Sequence, residues 1–128
     1  MHDRHLRRNF TLFAAGVFCM SFTFGIHFSV FNNFAVERIG LQPQHLGVLE
    51  SIREVPGLLG GLIGGLILRF PDTRMAGLSL LLFGAGFIGY SQIATVPLLI
   101  LCSFVWSVGF HTWYPLADGI NLRLSGEH

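Results

Sequence analysis

The chain is 128 residues long, 52% hydrophobic and only 12% charged, with a formal net charge of +1. Soluble domains carry about a quarter charged residues, so disorder, a disulfide scaffold and a nucleic-acid-binding domain are all excluded. The mean hydropathy of +0.60 makes this a membrane protein whose first partner is the lipid bilayer.

A helix needs about 20 apolar residues to cross the ~30 Å hydrocarbon core. The first charge-free run, residues 9–36, predicts a span over about 10–34. Ser21, Gly25, Ser29 and Asn32 fall on one face of it, while His27 falls on the other side with Met20, Thr23 and Val30. The basic tail before it suits a signal peptide, but the apolar stretch is too long and no small-x-small cleavage site follows it near Asn32-Asn33-Phe34. His2, Asp3 and His5 lie on that tail and are not read as a metal site.

The second run, residues 55–68, is too short to cross alone. A span over about 46–68 must therefore draw Glu50, Arg53 and Glu54 toward or into the membrane. Glu50 neighbours Arg53 at i+3 and Glu54 at i+4 on a helix. The fully ionised trio is net negative, so one carboxylate has no local partner; near a cavity it could carry a coupling proton. The competing reading is an ion pair within ~8 Å of the outer interface, snorkelling to water. Pro56 cannot donate to the carbonyl of Ile52 and weakens the helix there. Gly57, Gly61 and Gly65 repeat at i, i+4, i+8, a ridge suited to close helix packing.

The third run, residues 75–117, would make a single helix of about 65 Å, so it must break, and Thr95-Val96-Pro97 is the predicted break. Two spans result, at about 75–92 and 97–121. The first of these has little polarity and is expected to be peripheral and lipid-facing. The second carries Ser103, Ser107, His111, Tyr114 and Asp118 as one polar stripe, with the packing aromatics Trp106, Phe110 and Trp113 roughly opposite. Asp118 is expected to make an ion pair or cap at the inner end. Cys19 and Cys102 fall inside spans and carry no redox argument.

All eight basic residues are Arg. Placing both ends in the cytoplasm puts Arg4, Arg7, Arg8, Arg69, Arg74 and Arg123 inside and Arg38 outside, as the positive-inside rule requires. The expected location is the plasma (inner) membrane.

The order of these features resembles the N-terminal part of a major facilitator superfamily transporter. Residues 39–47 look like the short outer loop before that family's second helix. Gly64-Gly65-Leu66-Ile67-Leu68-Arg69-Phe70 is similar to the end of its second helix and the cytoplasmic loop that follows. Gly109 and Pro115 suit its fourth helix. The family's loop motif, Gly-x-x-x-Asp-Arg-x-Gly-Arg-Arg, is met here by Gly64, Arg69 and loosely Arg74, with Leu68 in place of Asp and Pro71 in place of the second Gly. The drug–proton exporters' fourth helix has an Arg where Val105 stands.

The resemblance implies an all-α polytopic membrane protein, its four transmembrane helices forming part of the facilitator N-terminal half. It further implies alternating-access transport of a small solute, with a proton or another cation as coupling ion, and first and fourth helices lining the cavity. Twelve helices are usual in the family, so residues 1–128 are expected to be a fragment whose partners include missing C-terminal helices. Candidate substrate or proton contacts are Glu50, Arg53, Glu54, His111, Ser107, Tyr114, Asn32 and Ser29. No cofactor and no enzymatic chemistry are expected. Two alternatives stay open: a small four-helix multidrug-type transporter acting as a dimer, which would want an acid in the first span, and a structural membrane protein whose Gly57/Gly61/Gly65 ridge binds a partner helix.

Overall fold

A computed structural model describes residues 2–67 and 69–126, with side chains described for 4–60 and 69–126. Four helices follow one another, with no strand among the described residues. Helix α1, His2–Asn33, runs on through a π-helical turn at Phe34–Arg38. Gly40 then takes a φ of 79°, a left-handed conformation that costs glycine nothing, and Leu41 donates back to the carbonyl of Ala35. A short 3-10 turn, Pro43–His45, leads into helix α2, Leu46–Ile67.

Pro71 caps helix α3, Asp72–Tyr90, its carbonyl accepting from the amides of Arg74 and Met75. Helix α4, Val96–Gly126, begins with Pro97 in its first turn, where a missing amide hydrogen is harmless. Deeper in, Pro56 and Pro115 deprive the carbonyls of Ile52 and His111 of their helical donors. Arg4–Arg38, α3 and α4 are each long and apolar enough to cross a membrane.

Helix α4 is the hub. It packs most intimately on α3, also on α2, and meets α1 chiefly through side chains. The α3–α4 seam exists because small residues remove the space between backbones. A Cβ on Gly86 would lie 2.5 Å from Cβ of Trp106, one on Gly89 2.6 Å from Sγ of Cys102, and one on Gly109 would strike the Ser79 carbonyl and the Phe83 backbone. The buried face of α3 is Ala76, Ser79, Phe83 and Gly86, while Leu78, Leu81 and Ile88 face outward. Helix α3 packs chiefly on α4 and leaves its other side exposed, which agrees with the expectation of a peripheral third helix.

Across α1 and α4 the spacers are aromatic. Phe13 stacks with Trp113, Phe24 lies 4.5 Å from Phe110, and His27 meets Trp106 edge-on at 4.8 Å. Met20, Ala76, Phe83, Trp106, Trp113 and Leu116 form one core; Phe31, Ala35, Leu41, Leu49 and Leu99 form a second. An ion pair between Asp72 and Arg123 (2.7 Å) ties the start of α3 to the end of α4. This corrects the expectation placed on Asp118, which is exposed and takes no part in that pair.

Candidate functional site

The α2 charges do not act as one trio. Arg53 is buried, only 5% exposed, and its Nη1 donates to Oε1 of Glu50 at 2.6 Å. One helical turn separates the two residues, so the pair forms within α2 without help from another helix. The Arg53 guanidinium sits 4.8 Å from the Trp106 ring and 5.1 Å from the Phe31 ring. Two aromatic faces thus stabilise a cation withdrawn from water, a contact that strengthens with desolvation. Its Nε remains buried without a hydrogen-bond partner among the described residues.

Glu54 turns the other way. Its Oε2 lies 3.7 Å from Nε2 of His111 on α4, so the carboxylate without a local partner faces a titratable ring across the interface. Gly57 makes that approach possible: a Cβ there would stand 2.7 Å from the His111 imidazole. Ser107, one turn before His111, is buried and donates to the carbonyl of Arg53. Ser107 and His111 therefore fasten α4 to α2 on either side of Arg53 and Glu54.

Behind the guanidinium stands a second hydrogen-bonded group. Trp106 Nε1 donates to the Tyr90 hydroxyl, which also pairs with Ser103 Oγ at 2.8 Å. The indole that flanks Arg53 is thereby fixed by α3 as well as by its own helix.

A cavity of about 280 Å³ opens between α1 and α2, lined by His27, Phe28, Phe31, Asn32, Glu50 and Arg53. A larger groove, about 820 Å³, separates α1 from α4. Its walls include Ser21, Phe24 and Gly25 on α1 and Tyr114, Asp118 and Asn121 on α4.

The sequence-predicted residues thus fall into separate places. Glu50, Arg53 and Asn32 share the small cavity. Glu54, His111 and Ser107 form the α2–α4 seam beside it. Tyr114 lines the larger groove. Ser29 is exposed and donates to the Gly25 carbonyl of its own helix, joining none of the three. Arg69 and Arg74 are exposed, while Gly64, like Gly61, Gly65 and Leu68, lies outside the described side chains.

His27, on the other side of α1 from the Ser/Asn stripe, is 4% exposed and packed among Phe31, Phe87, Tyr90 and Trp106 while lining the small cavity. Trp106 is buried in the core, as expected of a packing aromatic, and its ring also covers Arg53. Tyr90 was not singled out by sequence, because a lone Tyr at the end of an apolar helix carries no periodic signal. No cluster of metal-ligating side chains occurs among the described residues. Compared with protein-family models, curated proteins and solved structures, the chain matches none.

Proposed function

We propose that the chain is part of a membrane carrier of the facilitator kind, moving a small solute between the two sides of a bilayer. The observation that carries this reading is the division of α4. One side is sealed against α3, and another borders an 820 Å³ groove shared with α1. A carrier needs that asymmetry, since a rigid wall must accompany a surface that can be exposed alternately to either side. The groove is mainly apolar with polar groups at Ser21, Tyr114, Asp118 and Asn121, the usual character of a small-molecule site. Intramembrane ionisable groups add to the case, because their cost is generally met by function. On this reading the Glu54–His111 pair carries the coupling proton or cation, with Arg53 and Glu50 as the adjacent charges on α2.

The test is uptake into proteoliposomes by the protein expressed from its full reading frame, with labelled small solutes and an imposed proton gradient. The carrier reading expects saturable uptake that collapses with the gradient, and its loss of gradient dependence in Glu54→Gln. Uptake indistinguishable from empty vesicles for every solute would overturn it, and a stable stoichiometric complex with another membrane protein would then favour the structural alternative.

A further inference from the structure

The groove between α1 and α4 is walled by rings and carries a single charge. Of the described residues that line it, Asp118 alone is charged, and no Arg or His stands on its walls. Asp118 is exposed and makes no ion pair among the described residues, since Arg123 on the same helix is held by Asp72. Tyr114, Asp118 and Asn121 succeed one another at i, i+4 and i+7, so the three are neighbours along one face of α4. On α1, Thr11, Thr23 and Ser29 donate to the carbonyl of the preceding turn. Ser21, the hydroxyl on the groove wall, makes no such bond among the described residues. The rings differ in what they have left to offer. Phe24 and Phe110 stack on each other at 4.5 Å, and Phe13 stacks on Trp113. Phe10 and Tyr114 are 57% and 55% exposed, which leaves ring surface open beside the carboxylate.

From this arrangement we infer that the groove binds an amphipathic organic monocation, its ammonium on Asp118 beside Tyr114 and its apolar part along the aromatic walls. Charge decides the class. An anion would meet Asp118 with no basic side chain to offset it, and a neutral solute would displace water and leave the carboxylate unpaired. A monocation neutralises Asp118, and Tyr114, one turn earlier, offers a ring to the same head. The Asn121 amide oxygen can accept a further hydrogen bond from an ammonium. A bare hydrophilic cation would leave the apolar walls uncovered, so an apolar portion adds the larger share of binding. The volume of about 820 Å³ lies in the range of drug-sized sites and exceeds what a small ammonium ion fills. The assignment rests on the carrier reading, for which it names the solute class.

Equilibrium dialysis tests it, on the protein expressed from its full reading frame, in detergent and against protein-free micelles. The probes are 4-phenylbutylammonium, the neutral 4-phenylbutanol, the anion 4-phenylbutyrate, and ethylammonium as a head without a ring. We expect phenylbutylammonium to bind on the order of tenfold more tightly than each of the others. Asp118→Asn keeps the size but lacks the charge, and should bring the ammonium down to the level of the alcohol. Tyr114→Leu keeps apolar bulk but lacks the ring, and should weaken the ammonium about two- to fivefold. Glu37→Gln removes an exposed carboxylate that does not line the groove and should change neither. Thermal melting checks that each variant folds. The alcohol or phenylbutyrate binding as tightly as the ammonium, unchanged ammonium binding by folded Asp118→Asn, or no binding by folded wild-type protein would each overturn the assignment. The last result is the mark of a helix filling the groove in place of a solute. Phenylbutylammonium binding without uptake in vesicles would overturn the carrier reading alone; uptake of some other solute, with no binding of this probe, would overturn the monocation alone.

Discussion

The α3 side and the α1–α2 side of helix α4 solve opposite problems with the same helix. Toward α3, Gly86, Gly89 and Gly109 let backbone meet backbone, leaving no space for a solute. Toward α1, rings stand between the helices, with Phe24 on Phe110 and Phe13 on Trp113 holding the backbones apart around a groove. Toward α2, Gly57 admits the His111 ring and Ser107 grips the Arg53 carbonyl, so the contact is close but polar. The lesson is that residue size at the interface decides whether two helices make a wall or a cavity. Polarity alone does not.

The strongest way to break the comparison is to add volume on the sealed side. Gly109→Leu would drive a side chain into the Phe83 backbone, and overpacking of this kind costs about 1–3 kcal/mol or more. The variant is expected to melt well below wild type in detergent. Gly84→Leu is the control, since a Cβ there meets nothing within 4 Å, and it should leave the melting temperature almost unchanged.

Next in size is Arg53→Leu. Breaking a fully buried ion pair costs about 3–5 kcal/mol, but Glu50 is half-exposed and screened, so a smaller loss is expected. Its melting temperature should fall less than that of Gly109→Leu. Tyr90→Phe removes the hydroxyl shared by Trp106 and Ser103 and should cost on the order of 1 kcal/mol. A shift in Trp106 fluorescence would show that the ring over Arg53 has loosened. The smallest effect belongs to Asp72→Asn: Arg123 is largely exposed, and exposed pairs contribute about 0–1 kcal/mol. A melting shift as large as that of Tyr90→Phe would mean that the α3–α4 seam depends on its end clamp, against the glycine account.

Much of this architecture can be read from charge-free runs. The segment 75–117 demanded a break, and α4 starts at Val96, within the predicted Thr95-Val96-Pro97 break. The unusual position of Glu50, Arg53 and Glu54 was equally visible, because the uncharged run after them is too short to span. What each charge faces was not visible. The direction of Glu54 toward His111 depends on how α2 and α4 lie together, and Gly57 permits it only because it is paired with that particular ring.

The seam was missed for a related reason. Gly86 and Gly109 lie on different helices and meet no regular small-x-x-x-small pattern with each other, whereas Gly57, Gly61 and Gly65 do and so drew attention. His27 carries little weight in the sequence because it lies away from the Ser21/Gly25/Ser29/Asn32 stripe. In the structure Ser21 and Gly25 of that stripe border the groove and Asn32 the small cavity, Ser29 satisfies its own helix, and His27 reaches the small cavity from the aromatic side. In an apolar environment a hydroxyl such as that of Ser29 is satisfied by the preceding turn, so no single Ser of a stripe identifies a cavity.

The most direct measurement is cysteine accessibility in membranes. Single cysteines at Gly25, Tyr114 and Asp118 on the groove, and at Ser79 and Phe83 on the seam, would be placed in a Cys19→Ser, Cys102→Ser background and treated with a membrane-impermeant maleimide. The account predicts rapid labelling of the three groove positions and none at the two seam positions. Labelling of the seam, or a groove as unreactive as the seam, would contradict the division of α4 on which the carrier reading depends.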